Sequence, residues 1–153
     1  MVKYLVEHGA DINKEYKNGE IPLFLACKNG NENIVKYLVD HGADINKEIK
    51  NGITPLFFAC YGGNENMVKY LIEHGADINK ENKNGETLLF KACYNGHENI
   101  VKYLVEHGAN INKENLEKKR PLSIVKEERY ERNENIIKYL EEHGAKENNA
   151  QNI

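Results

Sequence analysis

The sequence predicts an all-α solenoid of helix-turn-helix units, each closed by a hairpin loop, with about four full units after an N-terminal half-unit. Two observations carry this. The stretch Asn51 to Asn79, NGITPLFFACYGGNENMVKYLIEHGADIN, returns nearly unchanged above and below itself: His41 to Asn46 recurs from His74 and, with one change at Asn110, from His107. Each step is 33 residues, and Asn18-Gly19, Asn51-Gly52 and Asn84-Gly85 keep the same step. A period of this size marks stacked supersecondary units rather than one irregular domain.

Each element of the period has a local cause. Thr54 before Pro55 reads as a helix start, a hydroxyl N-cap followed by proline where its missing N–H costs nothing. Leu56, Ala59 and Cys60 then share one face of a short helix, and Gly62-Gly63 ends it. Asn64 or Asn66 caps a second helix in which Met67, Val68, Leu71 and Ile72 form an apolar stripe. Gly75 ends that helix, and turn-forming residues run from Asp77 through Gly85 to the next start at Thr87. Neither helix is long enough to be stable alone, so neighbouring units must stack.

Gly52-Ile53-Thr54-Pro55-Leu56-Phe57-Phe58-Ala59-Cys60 resembles the G-x-T-P-L-H-x-A-A element of the ankyrin-repeat family, with Phe57 where His is usual. Gly63 to Ile72 resembles its second-helix element, and His74 to Asn79 its closing x-G-A-D-V-N. The resemblance covers essentially the whole chain. It implies a non-enzymatic scaffold that binds a partner protein through the concave face of hairpin tips and first helices; it does not name the partner. Positions that change between repeats map onto that face by the same resemblance. They are Tyr16 and Ile49 at the hairpin, with Asn82 and Asn115 in the same slot; Glu20, Ile53 and Glu86 after the turn; and Lys28, Tyr61 and Tyr94 at the end of the first helix. The competing reading of each is a drifted, neutral surface position.

Taken in order, residues 1–153 form one repeat domain. Residues 1–10 match a second helix and closing turn without a first helix, and their apolar stripe (Val2, Leu5, Val6) reads as the cut face of a longer array. Full repeats span 11–43, 44–76 and 77–109, and an altered, capping repeat spans 110–145. In that last repeat Glu117-Lys118 replaces Asn-Gly, Ser123 replaces the phenylalanine of the other repeats, and Glu141 replaces an apolar residue. The inserted run Glu127 to Arg132 is expected to lengthen the first helix by a turn. A polar outer face is what a terminal repeat needs, so this end reads as a genuine terminus, with residues 146–153 as a tail that frays from Asn148.

Charged residues make up 29% of the chain for a net charge of −3, with both signs interleaved. That pattern argues against a nucleic-acid surface, which would gather Lys and Arg on one side. No apolar run is long enough to span a bilayer, and no signal peptide precedes the first repeat. Cys27, Cys60 and Cys93 recur in one slot, and helices packed about 8–10 Å apart hold such residues too far apart for a disulfide. Three buried thiols imply a reducing, intracellular and probable cytoplasmic setting.

Nothing in the sequence assembles a catalytic site, a cofactor site or a metal site. Thr54, Thr87 and Ser123 are the only hydroxyl side chains of the Ser or Thr type, none beside a histidine in a triad pattern. His8, His41, His74, His107 and His143 recur before glycine at the end of each second helix, where an imidazole caps carbonyls and meets the negative end of the helix dipole. His97 stands apart, in a turn slot. A monomer is expected. The rival readings are a targeting segment of a larger protein, weak self-association through the bare N-terminal half-repeat, and an enzyme, for which no constellation of residues argues.

Overall fold

A computed structural model describes residues 2–127 and 133–148. Among them lie nine α-helices: α1 (Val2–Glu7), α2 (Pro22–Lys28), α3 (Glu32–Asp40), α4 (Pro55–Tyr61), α5 (Glu65–Glu73), α6 (Leu88–Asn95), α7 (Glu98–Glu106), α8 (Pro121–Glu127) and α9 (Glu134–Glu142). The even-numbered helices are the first helices of the four repeats; α3, α5, α7 and α9 are the second, and α1 is a second helix by itself. The chain divides into two compact units, Met1–Asp77 and Ile78–Ile153, and the division falls within one residue of a repeat boundary.

The helix starts differ from the expectation in one respect. Thr54 and Thr87 stand at the N-caps of α4 and α6 with extended backbones, yet neither hydroxyl makes a capping bond. Their backbone carbonyls take the amide instead: Phe57 N–H donates to Thr54 O and Phe90 N–H to Thr87 O, both at 3.1 Å. Ile21, with no hydroxyl, serves α2 in the same way, accepting from Phe24 at 3.0 Å. The extended cap residue therefore sets the start, with proline at N1 in α2 and α4 and Leu88 in α6, and the hydroxyl is dispensable to it. At the second helix the cap is Asn64, whose Oδ1 accepts the Met67 amide at 3.0 Å.

Helix ends follow one pattern. At Gly75 the backbone turns left-handed (φ +95°), Ala76 N–H donates to Leu71 O at 2.9 Å and Gly75 N–H to Ile72 O at 3.0 Å. These two bonds satisfy carbonyls that the last turn would leave bare. Nothing lies within 4 Å of a Cβ built on Gly75, so the sign of φ requires glycine there, and space does not.

Each hairpin is a three-residue loop. Ile49 N–H donates to Ile53 O at 2.9 Å, making a single antiparallel bridge. Tyr16 and Glu20, Asn82 and Glu86, and Asn115 and Lys119 make the same bond. Lys118 occupies the slot of Gly52 and Gly85 and still takes φ +62°. Asn115 supports that uncommon conformation by accepting the amides of Glu117 at 3.0 Å and Lys119 at 2.9 Å on its buried Oδ1.

In the first unit α2 packs on α3 and α4, and α5 on α3 and α4. First helices thus form one layer and second helices another, with Leu23, Phe24, Leu38, Leu56, Met67 and Leu71 fully buried. In the second unit α6, α7, α8 and α9 repeat the arrangement, over a core that includes Leu88, Leu89, Ile100, Leu104 and Leu122.

The conserved-looking Asp-Ile-Asn string of each repeat has a specific use within these units. Asp44 Oδ1 accepts the Asn46 amide at 3.1 Å, folding the loop on itself. Asn46 then reaches the turn that closes the following helix pair: its Nδ2 donates to Gly75 O at 2.9 Å and its Oδ1 accepts Asp77 N–H at 2.9 Å. Asn13 binds Gly42 and Asp44 in the same way, Asn79 binds Gly108 and Asn110, and Asn112 binds Gly144 and Lys146.

The last repeat closes with polar contacts. Ser123 Oγ donates to Asn148 Oδ1 at 2.7 Å, and Lys126 pairs with Glu141 at 2.8 Å and with Glu147. Asn148 also accepts the Arg120 amide at 3.1 Å, so it is held where the sequence reading has the tail fray. The expected extra turn after α8 falls on residues 128–132, outside the described residues, as do residues 149–153.

Two outcomes follow for stability. Leu71→Ala, at a fully buried site, is expected to cost about 2–5 kcal/mol in denaturant melts, whereas Leu116→Ala, at 74% exposure, stays within about 0.5 kcal/mol. Asn46→Ala removes two bonds between successive closing turns and is expected to lower stability by about 1–2 kcal/mol, with faster amide exchange at Asp77.

Candidate functional site

Of the ten positions mapped onto a partner face, Asn115 is buried and, like Asn82, bonds its own hairpin; the other eight are placed as follows. In the first unit Tyr16 is 68% and Tyr61 66% exposed, Lys28 is exposed at the end of α2, and Glu20 is half-buried in its hairpin. Ile49 and Ile53 face each other across the bridge, both half-buried. They therefore shelter part of their apolar surface against one another. Tyr16 stands at the mouth of an apolar cleft with Ile21, Pro22 and Leu25.

In the second unit Glu86 and Tyr94 come together. With Phe90, Lys91 and Ile124 they line a depression of about 140 Å³. Tyr94 is half exposed, and Lys91 Nζ lies 5.2 Å from its ring centroid, a cation–π distance. Glu86 is oriented from its own hairpin: Asn82 Nδ2 donates to Glu86 Oε2 at 2.9 Å while Asn82 Oδ1 accepts the Glu86 amide at 3.0 Å. A carboxylate, an ammonium and an aromatic ring thus share one small hollow. Lys91 and Ile124 share one first-helix slot with Leu25 and Phe58, and that slot changes in every repeat, the same signal that marks Glu86 and Tyr94; Phe90 stands in the constant slot of Phe24 and Phe57.

The repeated histidines have a structural role. His41 Nδ1 lies 2.7 Å from Tyr37 O, and His8, His74, His107 and His143 contact the tyrosine carbonyl four residues earlier at 2.7–2.8 Å. Each imidazole also stacks on that tyrosine, with centroids 3.8–4.0 Å apart. The stacking was open to prediction from the Tyr-x-x-x-His spacing, one helical turn apart. Tyrosine hydroxyls then reach the preceding second helix: Tyr70 donates to Asp40 Oδ1 at 2.8 Å and Tyr37 to Lys3 O at 3.4 Å.

Burial, the hydrogen bond to Asp40 and the Asp40 charge push the Tyr70 phenol up to about 12. Burial alone pushes the Cys27 thiol up to about 12, which removes the thiolate needed for nucleophilic work. Cys27, Cys60 and Cys93 are all buried, and none is in a disulfide. Among the described residues no group of three or more His, Cys, Asp or Glu side chains is placed to hold a metal ion, and no helix is long and apolar enough to cross a membrane.

Tandem helix pairs joined by short hairpins define a helical repeat protein. A family model described as ankyrin repeats matches in three copies, over residues 1–82, 47–115 and 80–152, and the chain belongs to the ankyrin-repeat family. No curated protein matches it significantly. Ankyrin repeats are in general protein–protein interaction modules.

The Tyr70 shift carries a pH dependence. The folded value lies above the ordinary 10.0, so the contribution of this group to stability is fully present below pH 10 and is lost as pH rises through about 12. In an absorbance titration of phenolate, Tyr70→Phe is expected to remove a late-titrating component, and Asp40→Asn to move that component to lower pH.

Proposed function

We propose that the chain is a non-enzymatic scaffold, a single repeat domain with the repeat boundaries given above. It binds a partner protein through hairpin tips and the ends of first helices. The observation that carries this reading is the hollow shared by Glu86, Lys91 and Tyr94, to which Phe90 and Ile124 add apolar wall. A rigid aromatic ring beside two opposite charges suits a partner side chain that is part apolar and part polar, since such a ring buries much area while its hydroxyl keeps a hydrogen bond. In the first unit Tyr16, Glu20, Lys28, Ile49, Ile53 and Tyr61 supply the corresponding surface. Tyr61 and Lys28 are its exposed first-helix residues of this set, and Ile53 presents its uncovered half from the hairpin.

Buried cysteines outside any disulfide support a reducing, cytoplasmic setting. The recurrence of five of the six histidines as a repeat feature supports the absence of catalysis: these histidines are committed to helix ends, and the Cys27 thiol is held protonated.

The test begins with affinity capture and mass spectrometry to obtain a partner, followed by titration of variants against it. Tyr94→Ala and Glu86→Ala are expected to weaken binding about fivefold or more, near 1 kcal/mol each, with an unchanged melting midpoint. Full affinity in both variants would remove this hollow from the binding face and shift the search to the second helices.

A further inference from the structure

The hairpin tips of the second and third repeats carry one tripeptide, Lys50-Asn51-Gly52 and Lys83-Asn84-Gly85. An asparagine followed by glycine can react with its own backbone. The glycine nitrogen adds to the asparagine Cγ, the side-chain amide nitrogen leaves as ammonia, and a cyclic succinimide forms. Water then opens the ring to aspartate or isoaspartate. Glycine has no Cβ to obstruct the approach. Because the tripeptide is the same at both tips, a difference in reactivity between them comes from the way each tip is held.

The two tips are held differently. In the third repeat Asn82 Oδ1 accepts the Asn84 amide at 2.9 Å and the Glu86 amide at 3.0 Å. Leu116 N–H donates to Asn84 O and Gly85 N–H to Asn82 O, both at 2.9 Å. The peptide groups on either side of Asn84 are thereby fixed, and the attacking nitrogen is engaged. In the second repeat the slot of Asn82 is Ile49, whose side chain has no oxygen to offer. Gly52 N–H donates to Ile49 O at a longer 3.1 Å, and Asn51 is left-handed (φ +76°), which costs an L-residue energy. Both asparagines are exposed, so access to water does not separate them.

We propose that Asn51 is a site of spontaneous deamidation in the folded chain, and that Asn82 protects Asn84 from the same reaction. To react, Asn51 must turn about its ψ while Gly52 N–H gives up its bond; Asn84 must also escape the bonds made by Asn82. Water is the co-reactant and ammonia the leaving group. The product carries a new carboxylate beside the Ile49–Ile53 bridge, and in the isoaspartate form an extra backbone methylene. The reaction belongs to the tip itself and stands whether or not a partner uses that tip. On the scaffold reading above, it also adds a negative charge to the binding face.

Incubation of the full chain at mildly alkaline pH tests the proposal, with peptide mapping by mass spectrometry and isoaspartate detected by enzymatic carboxyl methylation. Asn51 is expected to convert about tenfold faster than Asn84, since two further hydrogen bonds must open at Asn84. In denaturant the two rates are expected to converge. Asn82→Ile, which copies the second repeat, is expected to raise the Asn84 rate several-fold, and Ile49→Asn to lower that of Asn51. Melting midpoints show that each variant is folded, and either exchange suffices if the other fails to fold. Equal rates in the folded chain, or a faster Asn84, overturn the proposal. So do rates indifferent to both exchanges, and so does a difference that persists in denaturant.

Discussion

Within each unit, the repeats are joined by one asparagine side chain. Asn46 spends both ends of its amide on the backbone of the following turn, at Gly75 and Asp77. Its own loop is fixed beforehand by Asp44, so little freedom is left to lose when the two bonds form. Apolar stripes supply most of the attraction between helices, but they are non-directional and tolerate sliding. The amide fixes the register, because its donor and acceptor meet partners only two residues apart. The hairpins, and with them the positions nominated for binding, take their places from this register.

A second set of contacts runs along the other layer. Each tyrosine of a second helix stacks its ring on the histidine a turn later, while hydroxyls such as that of Tyr70 reach back to the preceding second helix. The histidine meanwhile engages the tyrosine carbonyl near the helix end, where the last turn lacks partners. One Tyr-His pair therefore finishes its own helix and helps hold the one before it. This is why titratable groups recur so regularly along the second helices.

Much of the fold was legible because the repeat comparison acts as an internal control. Constant glycines at Gly42, Gly75 and Gly108 foretold helix ends, and Leu38, Leu71 and Leu104 foretold the core. The misreading at Thr54 and Thr87 had a physical source. A threonine at an extended cap position permits a hydroxyl cap, but the backbone carbonyl competes for the same amide and wins. The Asn46 bonds were illegible for a different reason. Their partners are main-chain atoms 29 and 31 residues away, and main-chain atoms leave no trace in residue identity. The hollow at Tyr94 was legible in its parts and not as a whole: Glu86, Tyr94 and the slot of Lys91 and Ile124 all change between repeats, while their meeting in one hollow comes only through folding.

The asparagine joint reads only a carbonyl and an amide of its neighbour. Asp44, Asp77, Asn110 and Lys146 all serve it equally, since their side chains take no part in the bond. A joint of this kind is indifferent to which repeat follows. Duplication, deletion or exchange of whole 33-residue segments would regenerate the same chemistry at every seam, so such a gene can lengthen or shuffle without redesigning its contacts. Binding positions can then diversify segment by segment, while the means of assembly stays invisible to substitution.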